Sequence, residues 1–152
     1  MAQFDMDRYD AAILEILSGE ARISITDLAA RIGLSKTPTQ ARLKRLETHN
    51  VIKGYRAMLD PIQLKRDHVA FVEVRLSDTR ERALREFNIA VRKISEIEEC
   101  YMLAASFDYL LKIRTKDMRD YRMVLAEKLS SLPHISNTST HVAMQAVKES
   151  AF

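Results

Sequence analysis

Between Ser35 and Arg56 the chain carries Lys36, Arg42, Lys44, Arg45, Lys53 and Arg56 against a single acid, Glu47. One-sided positive charge suits a polyanion, because each Lys or Arg that neutralises a phosphate releases condensed counterions. Specificity needs side chains that reach base edges, and Arg and Gln do so with forked hydrogen bonds. Lys36, Thr37, Gln40, Arg42, Lys44 and Arg45 fall within one short stretch and are the candidate DNA contacts.

Two helices and a tight turn are needed to present them. Ser24 followed by Asp27 is a capping-box-like start, and Ile25, Leu28, Ala29 and Ile32 make one apolar stripe. Gly33 can stop that helix in a left-handed conformation, Leu34 can tuck into the core, and Ser35 is expected to cap a second helix running through Thr48. That helix buries Thr39, Leu43 and Leu46 and turns Thr37, Ala41, Lys44, Arg45 and Thr48 outward, the helix-turn-helix layout. Asp7 with Asp10 caps an earlier helix whose Tyr9, Ile13, Leu14 and Leu17 face inward, ending near Ser18 and Gly19. Val51 to Leu59 alternates around Gly54 and reads as a short strand or wing. Residues 1–60 are thus expected to be the DNA-binding domain and 61–68 a linker.

From residue 69 to 152 strands alternate with helices. Ala70, Val72, Val74 and Leu76 share one parity of a first strand, and Leu84, Phe87, Val91 and Ile94 line a following helix. Cys100, Met102 and Ala104 share a face of a second strand, and Tyr109, Leu111 and Ile113 a face of a third, with a tight hairpin expected at Ser106 and Phe107. Met118, Tyr121, Leu125, Leu129 and Leu132 line a second helix, Pro133 breaks it, and Asn137 to Val147 reads as a last strand. The order βαββαβ is the split βαβ, ferredoxin-like arrangement, so the whole chain is α+β.

The 152 residues are 47% hydrophobic, enough for packed cores, and the formal net charge is +3 with a pI near 9.1. The first ten residues are polar and acidic with no apolar h-region, and no uninterrupted apolar run approaches a membrane span, which points to a soluble, cytoplasmic protein. One cysteine, Cys100, excludes an intrachain disulfide, and its apolar surroundings suggest a buried thiol. No metal-ligand spacing joins His134 and His141 to other ligands, and no glycine-rich phosphate loop or nucleophile signature is present, so neither a metal, a catalytic residue nor an enzyme is expected. Glu96, Glu98 and Glu99 read as a solvated loop.

With these segments in place, the chain resembles the Lrp/AsnC family of transcription regulators over nearly its whole length. The matching segments are "ARIS" at 21–24, "LAARIGLSKTPTQARLKRLE" at 28–47, "VIKGYRAMLDP" at 51–61, "EFNIAVRKISEIEECYML" at 86–103, "FDYLLKIRTKDMRDYR" at 107–122 and "LPHISNTSTHVAMQAVK" at 132–148. The resemblance implies a winged helix-turn-helix joined to a domain that senses a small amino acid, leucine or proline first, and controls genes of amino-acid metabolism. It also implies a homodimer paired through its sheet and assembling further, often to an octamer, on double-stranded DNA of the nucleoid. The amino acid would sit between dimers, against Met102, Ala104, Ala105, Ser106, Phe107, Asp108 and Tyr109, with His134, Ile135, Thr138, Ser139 and Thr140 opposite. Asp108 suits a ligand ammonium and the hydroxyls of Ser106, Thr138 and Thr140 suit its carboxylate; the plain alternative for Asp108 is a turn former. Ala105 stands where the family usually has glycine, and its methyl narrows the approach of a ligand to the backbone. An architectural DNA-bending protein without a ligand response is therefore the competing reading.

Overall fold

The helix Arg8–Gly19 (α1) starts where the Asp7 carboxylate accepts the N–H groups of Tyr9 and Asp10, at 2.8 and 3.0 Å. Asp10 answers by accepting the Asp7 N–H at 3.2 Å, which completes the expected capping box. The helix Ile25–Ile32 (α2) is capped by Ser24, whose hydroxyl accepts the Asp27 N–H at 3.1 Å and donates to the Asp27 carboxylate at 2.6 Å. Gly33 ends it at φ 72°, and the Leu34 N–H reaches back to the Ala29 carbonyl at 3.0 Å, closing a Schellman turn in a conformation that strains any L side chain. The helix Lys36–Thr48 (α3) follows.

Ser35 occupies the N-cap position of α3, but its hydroxyl makes no cap bond. The reason is in the sequence: the third helical position is Pro38, which has no N–H to offer. Ser24→Ala is accordingly expected to cost about 1 kcal/mol and Ser35→Ala clearly less. Thermal unfolding of the two variants side by side checks this, and equal losses would contradict it.

A computed structural model describes residues 5–149 and divides the chain into two compact units, Met1–Met58 and Leu59–Phe152. In the first unit Ile13, Leu28 and Leu46, one from each helix, form the buried centre, with Leu14, Leu17, Ile32 and Leu43 packed around it. The expected strand at 51–59 is absent. Among the described residues of this unit there is no second strand with which its alternating residues could build a ladder, so the pattern alone cannot hold them as sheet.

In the second unit the strands His68–Leu76 (β1), Ile97–Met102 (β2), Tyr109–Thr115 (β3) and Ile135–Val142 (β4) form one antiparallel sheet in the order β2-β3-β1-β4. The helices Glu81–Val91 (α4) and Met118–Met123 (α5) complete the βαββαβ order. The core holds Ala70, Val72, Val74 and Leu76 of β1, Tyr109, Leu111 and Ile113 of β3, and Phe87 and Val91 of α4, as their parities require. Phe87 and Tyr109 meet ring to ring at 4.4 Å.

Five details depart from expectation. β1 already begins at His68, and β4 runs 135–142 rather than 137–147. The β2–β3 connection spans 103–108, closed by the Leu103 N–H on the Asp108 carbonyl at 2.9 Å, so it is wider than a two-residue hairpin and leaves Ala104 outside the strand. α5 continues into a π-helical stretch, Val124–Leu129, whose wider turn buries Val124 and Leu129 with Tyr121 and leaves the expected Leu125 partly buried; Met118, at the start of α5, is exposed. Cys100 is exposed, because β2 is an edge strand with one neighbour. No helix among the described residues is long and apolar enough to cross a membrane.

Candidate nucleic-acid interface and effector site

Lys36, Gln40, Lys44 and Thr48 follow one another at four-residue spacing along α3 and are exposed, as are Thr37 and Ala41 beside them. Their opposite face holds the buried Thr39 and Leu46. This is a solvent-facing row of two ammonium groups, an amide and two hydroxyls, mounted on a helix whose entry is set by the Gly33 turn. Such a row can hold phosphates with the lysines and reach base edges with Gln40.

The two arginines of the expected set are placed differently. Arg42 is packed against α1, with Nη1 2.6 Å from Asp7 Oδ2 and 2.9 Å from Asp10 Oδ1, and its guanidinium lies over the Tyr9 ring, 5.1 Å from the centroid. Arg45 Nη2 is hydrogen bonded to Asp10 Oδ2. Asp10 itself is fully buried, and its two oxygens are shared among Arg42, Arg45 and the Asp7 N–H. The Asp10 N–H and the Arg42 guanidinium hold the Asp7 carboxyl below its ordinary range, and Asp7 and Asp10 in turn raise Arg42. Sequence reading treated Asp10 only as a cap, although it stands three residues before the buried Ile13 and so on the inward face of α1. A carboxylate on an apolar stripe needs a cationic partner.

The expected effector residues gather only in part. β1 is flanked by β3 and β4, so its last residues meet both the 103–108 loop and the start of β4. Asp108 Oδ2 accepts the Leu76 N–H at 2.7 Å, and the Asp108 N–H donates to the Val74 carbonyl at 2.9 Å. On the other side the Ser77 N–H donates to the His134 carbonyl at 2.7 Å, with His134 in the left-handed region at φ 64°. His134 Nε2 lies 2.7 Å from Glu86 Oε2 of α4. Arg75, which sequence reading passed over, links the two sides: its guanidinium donates to the Ser106 carbonyl, and its own carbonyl accepts the Ser136 hydroxyl at 3.0 Å.

Met102, Ala104 and Ser106 are exposed, whereas Tyr109 is buried in the core. Thr138 and Thr140 pair with the core-facing Val74 and Val72, and the Tyr121 and Thr140 hydroxyls are hydrogen bonded. Ser139 pairs with Glu73 and therefore points to the opposite face, so one surface cannot collect all three β4 residues.

Residues 69–151 match the model of the Lrp/AsnC ligand-binding domain, and residues 6–53 that of a winged helix-turn-helix DNA-binding domain. The chain belongs to the Lrp/AsnC family. This Lrp/AsnC regulator is 62% identical over 145 residues to the proline dehydrogenase transcriptional activator of Rhizobium radiobacter, covering 95% of this chain and 93% of that protein. It is 44% identical over 146 residues to the leucine-responsive regulatory protein of Escherichia coli, covering 96% and 89% of the two. An AsnC family transcriptional regulator from Agrobacterium tumefaciens superposes with a TM-score of 0.91 at 30% identity, over 97% of this chain and 95% of that one. A transcriptional regulator from Neisseria meningitidis, solved in complex with L-methionine, superposes with a TM-score of 0.89 at 27% identity, over 96% and 94%. The family is one of transcription regulators, so this chain is a helix-turn-helix regulator with an Lrp/AsnC ligand-binding domain and not an enzyme.

Proposed function

We propose that this Lrp/AsnC regulator binds pseudo-palindromic operators of amino-acid-metabolism genes through Lys36, Thr37, Gln40 and Lys44, and that proline or leucine modulates the binding. The exposed row on α3, entered through the Gly33 turn, is the observation that carries the DNA contact. The names of its relatives favour proline or leucine, and the methionine-bound neighbour supports a small amino acid in general.

A second copy of the chain is the proposed cover for the open sheet face. Phe71 and Tyr101 stand exposed there, Leu110 pairs in register with Tyr101 on one side and Glu73 on the other, and Glu73 and His141 meet at 3.2 Å. Dimers assembling further, to octamers, would then bring 103–108 loops together. A two-fold dimer matches a two-fold operator.

Effector capture is assigned to the end of β1, with Asp108 supplying the negative charge for the ligand ammonium. Because Asp108 also accepts the Leu76 N–H, charge and shape have to be tested apart. Asp108→Asn keeps an acceptor for Leu76 and is expected to abolish the amino-acid-dependent shift in DNA affinity while leaving basal affinity intact. Asp108→Ala is expected to lose the response and, in addition, about 1–3 kcal/mol of stability for the stranded amide. Calorimetry with proline and leucine, and gel shifts on the same preparations, check both. Unchanged effector binding by Asp108→Asn would make Asp108 a turn former only, and a wild-type protein that binds no amino acid would favour the architectural reading that Ala105 suggests.

A further inference from the structure

Arg45 lies on α3 beside the exposed row, and by position alone it would add a phosphate contact next to Lys44. We infer that Asp10 is a positioning residue that withholds Arg42 and Arg45 from DNA, so that α3 meets the backbone with the charge of Lys36 and Lys44. This rests on the reading that α3 is the DNA-contacting helix.

Asp10 has no exposed surface, and among the described residues its carboxylate is held by Arg42, Arg45 and the Asp7 N–H. Swinging either guanidinium to a phosphate removes one of those partners from a fully buried carboxylate. A solvent-exposed phosphate contact gains less than that loss, because it is made in high dielectric against competing salt. Arg42 is held a second time, by Asp7 and by the Tyr9 ring, and its side chain is three-quarters covered. The cluster also ties α1 to α3 through two adjacent turns, which fixes the rotation of α3 about its own axis and hence the direction of the Lys36–Gln40–Lys44 row. Charge-paired α3 arginines are therefore part of how the helix is aimed.

The salt dependence of non-specific binding reads phosphate contacts one by one. Full-length wild type, Lys44→Gln, Arg42→Gln, Arg45→Gln and Asp10→Asn would be titrated onto a short mixed-sequence duplex by fluorescence anisotropy across a salt series. Lys44→Gln is expected to flatten the slope of log affinity by about one unit for each subunit that touches the duplex. Arg42→Gln and Arg45→Gln, whose amides still donate to Asp10, are expected to leave the slope unchanged. Asp10→Asn, where circular dichroism shows it folded, is expected to steepen it by weakening the hold on Arg45, while Asp7 and the Tyr9 ring still keep Arg42. Flattening by Arg45→Gln equal to that of Lys44→Gln overturns the inference, as does a folded Asp10→Asn with the wild-type slope. If Asp10→Asn does not fold, the arginine variants decide alone. A slope that Lys44→Gln leaves untouched refutes instead the assignment of α3 as the DNA-contacting helix.

Discussion

Asp10→Ala is expected to cost the N-terminal unit about 3–5 kcal/mol, the range for removing one partner of a buried ion pair. Three losses combine at this residue. Arg42 and Arg45 lose the carboxylate they share, the Asp7 N–H loses its acceptor, and a space opens next to the stripe that carries Ile13. Small domains have only about 5–15 kcal/mol in total, so the variant's first unit would lose a large fraction of its stability and melt well below the wild-type temperature. The second unit has its own core and should melt as in wild type, which makes the expected signature a split transition in calorimetry. A single transition at the wild-type temperature would show that the cluster is decorative.

Acid should act on the same place. The folded Asp7 carboxyl is held down, first by the Asp10 N–H and then by Arg42, so its contribution is complete above the ordinary carboxylate range and is lost as the pH falls through its lowered folded value.

Much of the architecture was legible because periodicity and capping are local. Asp7 with Asp10, Ser24 with Asp27, and Gly33 each mark a helix end within four residues, and the parity of Ala70, Val72, Val74 and Leu76 predicts which face of β1 is buried. What escaped was decided by groups distant in sequence or by small changes of helical pitch. Asp10 meets Arg42 and Arg45 across more than thirty residues, and nothing local to either partner names the other. In the π-helical stretch Val124 and Leu129, five residues apart, share the buried face and Leu125 is only partly buried, a spacing that a strict 3.6-residue template cannot register. Likewise Thr138, Ser139 and Thr140 read as one hydroxyl cluster until their pairing with β1 sends neighbours to opposite faces. Of the candidate DNA contacts, the exposure of Lys36, Thr37, Gln40 and Lys44 follows from their spacing along α3 alone.

Removing both lysines should have the largest effect on function. Each exposed ammonium that meets a phosphate releases condensed counterions, which makes log affinity fall linearly with log salt concentration, so two such contacts per subunit amount to roughly a hundredfold or more in affinity near physiological salt. Folding should be untouched, since Lys36 and Lys44 are exposed and make no ion pair among the described residues. Gln retains the length and helix preference of Lys while removing its charge.

The central claim, that α3 is the surface that meets DNA, is tested most directly by the affinity of Lys36→Gln/Lys44→Gln for duplex DNA, measured by anisotropy alongside its melting temperature. The account predicts a loss of roughly a hundredfold together with a flatter salt dependence and an unchanged melting temperature. Wild-type affinity with a wild-type salt slope would contradict it.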